Sequence, residues 1–209
     1  MPYKVIIIAQ SNIVDHAKYN KLDIKRLDLY KTLVFPRMVR YKGKFMSHLD
    51  YINIIKFGKS YEDADFYSRR KMLNIWNIPS MSGIHLQNYL ISNDFSPLVI
   101  NNLDSEFDWL KEWTNSSPDS PIIISTTFYL QWKEVERVVK LVRLSTNAPI
   151  IIGGAFINSF VSEHGADKTK EFLKKYSIDY AIYSFNSEPD LLRLLRTIRD
   201  KCFDQISSI

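Results

Sequence analysis

Cysteine is almost absent from this chain of 209 residues, which holds only Cys202. One cysteine forms no intrachain disulfide, and it supplies neither a cysteine-rich zinc site nor the thiolates of an iron–sulfur cluster. The histidines show no H-x-x-x-H or H-x-H spacing; they are His16, His48, His85 and His164. We therefore expect no metal-ligating residues and no iron–sulfur cluster in this chain.

Long apolar runs are missing as well. The run Val5 to Ala9 is among the longest and holds five residues, far fewer than the roughly 18 that a membrane-spanning helix needs. The first residues, Met-Pro-Tyr-Lys, do not resemble a secretory signal. Because 45% of residues are hydrophobic and 24% charged, the composition is typical of a soluble globular protein. We expect a cytoplasmic protein with no membrane contact.

Several phosphate-binding and catalytic motifs are absent. No glycine precedes Gly43, so the first strand is not followed by the G-x-G-x-x-G of a dinucleotide fold. Neither a P-loop nor the G-x-S-x-G of a hydrolase occurs. A phosphoacceptor receiver domain needs acidic residues after the first strand, where Gln10 and Ser11 stand, and a lysine after the fifth, where Ser184 stands.

Strand-like and helix-like segments alternate regularly. Apolar, β-branched runs predict buried strands at 3–9, 97–100, 122–126, 149–152 and 179–183. Amphipathic spacing predicts helices at 84–92, 105–113, 131–144, 167–176 and 189–202. This alternation favours an α/β fold with a parallel sheet covered on both faces. We expect one domain, 1–209, with a flavodoxin-like, doubly wound sheet of strand order 2-1-3-4-5.

Residues 13–77 interrupt this alternation after the first strand. They predict a partly helical insertion or cap, with a short hairpin around Gly43. Residues 1–80 hold 15 Lys and Arg against 7 Asp and Glu, whereas 81–209 hold 13 against 16. The basic insertion could therefore bind an acidic protein or a nucleic acid, although a solvated basic surface is the favoured interpretation.

Ligands of such sheets bind where the strands end and the strand order reverses. The segments there are rich in hydroxyls, amides, glycines and aromatic rings; they are Gln10 to Asn12, Ser125 to Tyr129, Gly153 to Phe156 and Ser184 to Glu188. They hold almost no acid or base, so we expect no catalytic residue. They suit a large, mostly neutral ligand held by backbone and hydroxyl groups.

The same segments resemble the cobalamin-binding domain that precedes the radical S-adenosylmethionine barrel in B12-dependent radical enzymes. The resemblance covers the first strand and residues 78–200. The matching segments are Pro79 to Gly83, Ile124 to Thr127, Ile150 to Phe156, Asp179 to Tyr183, and Phe185 to Glu188 followed by Leu191 to Leu195. It implies that the chain binds cobalamin and presents a methyl group or a redox-active cobalt to a radical barrel. The barrel's C-x-x-x-C-x-x-C motif is missing here.

The resemblance also implies roles for particular residues. Those implied to bind the cofactor are Gln10, Ser11 and Asn12 below the corrin ring; Ser125, Thr126 and Thr127 beside the ring and its nucleotide tail; Gly153 and Gly154 where the backbone approaches the tail; and Asn186, Ser187 and Glu188 around the tail base. Phe156 could stack on a flat ligand. Because no D-x-H-x-x-G motif occurs, the resemblance implies cobalamin bound without a protein histidine.

The sequence departs from the family pattern at three positions. Phe185 and Ser187 replace glycines, and Ala155 replaces a proline. Two alternatives stay open: a non-enzymatic interaction domain that uses the basic insertion, and a carrier of another flat cofactor such as a flavin. In the cobalamin interpretation a radical barrel, elsewhere in the parent protein or on a separate subunit, is the partner.

Overall fold

The computed structural model describes residues 2–11, 38–61, 63–69, 71–73, 79–129, 131–184 and 187–200. The chain divides into two compact units. We call Met1–Ile13 with Pro79–Ile209 the sheet unit, and Val14–Ile78 the insertion unit.

The described residues form seven strands and seven helices. The strands are β1 (Tyr3–Ile8), β2 (Met38–Tyr41), β3 (Lys44–Ser47), β4 (Phe95–Ile100), β5 (Ile122–Ser125), β6 (Ile150–Gly153) and β7 (Tyr180–Ile182). The helices are α1 (His48–Phe57), α2 (Phe66–Arg69), α3 (Met81–Ile91), α4 (Phe107–Ser116), α5 (Trp132–Arg143), α6 (Ala155–Lys175) and α7 (Ser187–Asp200). Within these ranges, no helix is both long and apolar enough to cross a membrane.

Five strands form one parallel sheet in the sheet unit. Their order is β4-β1-β5-β6-β7, and Ile6 of the inner strand β1 pairs with Leu98 on one side and Ile122 on the other. The α/β, flavodoxin-like fold is therefore confirmed. Numbered among themselves, these strands run 2-1-3-4-5. Their labels differ because β2 and β3 belong to the insertion after β1 and pair only with each other.

The sheet is buried on both faces. Successive side chains of a strand point to opposite faces, so Ile6 and Ile8 join the core under α4, α5 and α6. Val5 and Ile7 join a second core under α3 and α7. This double burial explains why the strands are continuous β-branched runs rather than alternating ones.

Strand β4 begins two residues earlier than predicted, at Phe95, and contains Pro97. A proline cannot donate to the ladder, so within sheets it is confined to edges and bulges. β4 is the outermost strand beside β1, and Pro97 there pairs with Val5.

Helix α6 is twice as long as the predicted helix at 167–176. It runs Ala155–Lys175 and is broken at Gly165, whose φ of 82° and ψ of 167° are not helical. The prediction missed the first half because Asn158, Ser159 and Ser162 have only modest helix propensity. Ile157, which is buried in the core, and Phe160, which packs against Trp132 of α5, stabilise it instead.

The insertion unit contains a hairpin and two helices in its described part. Strands β2 and β3 are antiparallel, and Lys42 and Gly43 at the turn both have positive φ, 47° and 79°. The predicted hairpin around Gly43 is therefore confirmed. The buried Asn53 side chain exchanges two 2.8 Å hydrogen bonds with the Leu73 backbone, which ties α1 to the residues after α2.

Candidate functional site

The carboxyl ends of the five parallel strands share one edge of the sheet unit. The order reverses between β1 and β5, because the chain continues from β1 to β4 on one side and returns to β5 on the other. A crevice at such a reversal is where ligands of open α/β sheets bind. The predicted site residues follow β1, β5, β6 and β7, and the described ones therefore lie along this edge. Asn12 and Asn186 lie outside the described residues.

The residues after β1 are buried and hydrogen-bonded to other parts of the chain. Gln10 and Ser11 are buried, and the Gln10 carbonyl accepts a hydrogen bond from the Leu103 amide at 3.0 Å. The Ser11 hydroxyl lies 3.3 Å from the Tyr129 hydroxyl. Tyr129, which follows β5, is also buried, and its burial raises its pKa to about 12. In this structure Ser11 and Tyr129 thus join β1 and β5 across the reversal point.

An ion pair lies near Ser11 and Tyr129. The Arg137 guanidinium on α5 donates to both carboxylate oxygens of Asp104, at 2.6 and 3.1 Å. Burial works to lower the pKa of Arg137, but the hydrogen bond and charge of Asp104 outweigh it and raise the pKa. Bidentate geometry of this kind is directional. The pair therefore fixes the loop after β4 against α5.

The three hydroxyl residues after β5 differ from one another. Thr126 is fully buried; its Oγ1 donates to the Gly153 carbonyl at 2.9 Å and accepts from the Ile157 amide at 3.4 Å. The Ser125 hydroxyl lies 3.1 Å from that of Thr127, which is exposed. Thr126 therefore holds the start of α6, whereas Thr127 faces solvent.

The two glycines after β6 have different roles. A Cβ on Gly153 would meet the Ile182 carbonyl oxygen at 3.4 Å, an ordinary contact. Gly154 has a φ of 115°, and a Cβ there would lie 3.0 Å from the Thr127 amide nitrogen and 3.2 Å from that of Thr126. Only glycine adopts such a backbone readily. The structure thus explains Gly154 by its approach to the chain's own backbone.

Phe156 belongs to an aromatic cluster between α5 and α6. Its ring lies edge-on to Trp132, with centroids 5.4 Å apart. Trp132 also stacks on Phe172 at 5.0 Å and on Tyr176 at 5.6 Å. This packing explains Phe156 without a ligand.

Two buried polar atoms in the segments that follow β6 and β7 have no hydrogen-bond partner. They are the Ser184 hydroxyl, two residues beyond β7, and the Asn158 Oδ1 on the first turn of α6. Unpaired buried groups are rare in proteins because each costs the desolvation of that group. Nearby along the chain, Tyr183 is 40% exposed. Sequence reasoning named the segment from Ser184 to Glu188 but singled out neither Ser184 nor Asn158.

The start of α7 carries the last predicted residues. The Ser187 hydroxyl donates to Glu188 Oε2 at 3.3 Å, and the other carboxylate oxygen lies 3.3 Å from Nε2 of His85 on α3. Glu188 therefore bridges the two helices of one sheet face. Its side chain stays 30% exposed and that of His85 65%.

Three helices that begin at this edge are capped by the chain itself. Ser80 caps α3 through the Gly83 amide, Glu134 accepts from the Gln131 amide ahead of α5, and Thr126 engages the first amides of α6. A phosphate at a helix N-terminus needs such amides uncommitted. Among the described residues, no three His, Cys, Asp or Glu side chains are grouped so that they could hold a metal ion.

The chain matches no protein-family model and no curated protein. Its fold is similar to part of a solved structure, described as the radical S-adenosylmethionine methyltransferase TsrM from Kitasatospora setae with cobalamin and a [4Fe-4S] cluster bound. The two share 17% sequence identity with a TM-score of 0.47, over 61% of this chain and 23% of that chain. The match therefore spans less than a quarter of that protein.

Proposed function

We propose that this chain is a cobalamin-binding module that serves a radical S-adenosylmethionine barrel, elsewhere in the parent protein or on a separate subunit. The observation that carries the proposal is the unpaired Ser184 hydroxyl at the carboxyl edge of the sheet. The sequence resemblance predicts cobalamin at that edge. A hydroxyl that is buried without a partner is a group that a ligand could satisfy.

The chemistry of the edge supports a mostly neutral ligand with amide side chains. Cobalamin carries several primary amides, and a serine hydroxyl can both donate to and accept from such a group. The edge offers hydroxyls at Thr127, Ser184 and Ser187, and an exposed ring at Phe128.

Part of the predicted set is better explained by the fold. Ser11, Thr126, Gly154 and Phe156 each have a partner or a steric reason within the chain. Among the other edge residues, the Ser184 hydroxyl is unpaired and Thr127, Ser187 and Glu188 reach solvent, so we assign ligand contact to these four. When bound, cobalamin supplies a cobalt that can carry a methyl group or change its redox state. The residues named here would hold and orient the cofactor.

The test is a titration of the purified chain with hydroxocobalamin, followed by the visible spectrum and by retention of colour on gel filtration. We expect a saturable spectral change. Ser184→Ala should weaken binding about 5- to 10-fold, because one neutral hydrogen bond contributes about 1 kcal/mol. No uptake at high micromolar cobalamin would overturn the proposal, and tighter uptake of flavin mononucleotide in parallel would favour the flavin alternative.

Ser145→Ala is the matched control. Ser145 is also a serine with a buried, unpaired hydroxyl, but it follows the carboxyl end of α5 and thus lies toward the opposite edge of the sheet. We expect its cobalamin affinity to equal that of the unaltered chain. Equal weakening by both variants would show that the loss comes from general destabilisation rather than from the site.

A further inference from the structure

We propose that the hairpin β2–β3 of the insertion unit binds the phosphate backbone of a nucleic acid. This inference rests on residues separate from the cobalamin site and stands without it. Arg40, Lys42 and Lys44 are exposed within five consecutive residues at the hairpin tip. No acidic residue occurs anywhere between Met38 and Ser47.

The tip is a tight turn that projects its cations outward. Positive φ at both Lys42 and Gly43 is characteristic of a two-residue hairpin turn, and a Cβ on Gly43 would have no heavy atom within 4 Å. The Lys42 ammonium lies 5.3 Å from the centroid of the Tyr41 ring. The tip is therefore open on the side that a partner would approach.

The register places cations on both faces of the ribbon. Tyr41 pairs with Lys44, and Arg40 with Phe45, so Tyr41 and Lys44 share one face while Arg40 points to the other. The Tyr41 ring packs edge-on against Tyr51 of α1 at 5.3 Å. Tyr41 and Lys44 therefore lie on the face of the hairpin that packs against α1, and Arg40 lies on the opposite face.

The carboxylates of the insertion unit that the structure describes are engaged away from the tip. Asp50 accepts from the Tyr61 amide, and Asp63 from the Ser60 hydroxyl. Hydrogen bonds from Ser68 and Lys59 hold the pKa of Asp65 well below its usual range. The described residues include no ion-pair partner for Arg40, Lys42 or Lys44, so their charges are available to phosphates.

A nucleic acid suits this surface better than a protein or a membrane. Lysine is depleted from protein interfaces, whereas lysine and arginine dominate contacts to phosphates. A two-stranded ribbon fits the major groove of a duplex, where phosphates flank it on both sides. Membrane binding calls for exposed large apolar groups, and Arg40 to Lys44 include none, since Tyr41 packs on Tyr51.

The test measures fluorescence anisotropy of the full chain with a labelled 20-mer, as duplex DNA, single-stranded DNA and single-stranded RNA. Three phosphate contacts imply a salt slope near −2.7 for a duplex and about −2 for a single strand. Between 50 and 200 mM salt we therefore expect about a 40-fold loss of duplex affinity and a loss of roughly 20-fold for the single strands. The three arms show which form the hairpin prefers.

The variant R40Q/K42Q/K44Q should lose at least about 10-fold in affinity at 50 mM salt and most of the salt slope. The control K133Q/K168Q/K174Q removes the same charge from exposed positions of the sheet unit, and it should lose less than about 3-fold. Equal losses, no binding at 50 mM salt, or equal competition by polyglutamate would each overturn the proposal. Circular dichroism and hydroxocobalamin uptake should be unchanged in both variants.

Discussion

The two ends of the carboxyl edge differ in how their polar groups are satisfied. Beside β1 and β4, Ser11 is paired with Tyr129 and Arg137 with Asp104. Beside β6 and β7, the Ser184 hydroxyl and Asn158 Oδ1 are buried without partners. Both ends are rich in polar residues, so composition alone does not separate them. The difference teaches that the paired groups beside β1 and β4 stabilise the fold, whereas the unpaired groups beside β6 and β7 are the ones that could bind a ligand at this edge.

The largest expected effect on stability comes from changing Gly154, which lies after β6 and packs closely against the backbone of Thr126 and Thr127 after β5. Gly154→Ala should lower the free energy of unfolding by about 3 kcal/mol, because it combines a strained backbone with a crowded Cβ. Gly153→Ala is the control, since its Cβ has only an ordinary contact, and it should cost less than about 1 kcal/mol. Urea denaturation measures both. Equal losses would contradict the steric explanation for Gly154.

The second-largest effect is expected from removing the hydrogen bond between Ser11 and Tyr129. Tyr129→Phe leaves the buried Ser11 hydroxyl without this partner, which should cost about 1 to 2 kcal/mol near neutral pH. Stability as a function of pH gives a second readout. Between pH 10 and about 12 the unfolded chain loses the Tyr129 proton while the folded chain keeps it, so the unaltered chain loses stability as the pH rises.

The phenylalanine variant has no such proton to lose. Its stability should therefore approach and then exceed that of the unaltered chain above about pH 11, since a shift of two pKa units corresponds to roughly 3 kcal/mol. Ser11→Ala keeps the tyrosine and should retain the alkaline loss. Urea unfolding measured from pH 8 to 11.5 tests this. Parallel curves for the unaltered chain and the phenylalanine variant would refute the assignment.

The smallest effect separates two neighbouring threonines. Thr126→Val removes a hydroxyl that bonds Gly153 and Ile157, and it should cost about 1 kcal/mol of stability. Thr127→Ala alters an exposed side chain, so its stability should change by less than about 0.5 kcal/mol, while its cobalamin affinity falls. If Thr126→Val weakened cobalamin binding more than Thr127→Ala did, the division into fold and ligand residues would be wrong.

The fold followed from the sequence because its strands are buried on both faces. A run such as Val5 to Ile8 has β-branched residues at consecutive positions, and few structures other than a doubly covered sheet bury all of them. Boundaries were predicted less well where propensity and packing disagree. The first half of α6 holds Asn158 and Ser159 yet is helical, since the core holds Ile157.

The site was harder to predict because its decisive features are contacts between distant residues. Ser11 and Tyr129 are 118 positions apart, and no local sequence pattern predicts the hydrogen bond between them. Gly153 and Gly154 are identical in sequence terms, and only the φ of 115° at Gly154 separates them. Whether a hydroxyl such as Ser184 is satisfied depends on every neighbour in space. The sequence could therefore indicate the carboxyl edge of the sheet as the site. It could not indicate which polar groups along that edge lack a hydrogen-bond partner.

The inner position of β1 has a kinetic consequence. Tyr3 pairs with Phe95 and Ile6 with Ile122, separations of 92 and 116 residues, whereas β5 with β6 and β6 with β7 close over 28 and 29 residues (Ile122 with Ile150, Ile151 with Tyr180). Without the 65 residues from 14 to 78, the first separation would be 27, which would lower the loop-closure cost by on the order of 1 kcal/mol. The strands β5 to β7 should therefore associate early, and β1 should insert late. Strand β1, which is synthesised before the other strands of this sheet, is thus among the last to reach its place, and until then the facing edges of β4 and β5 stay open to other chains.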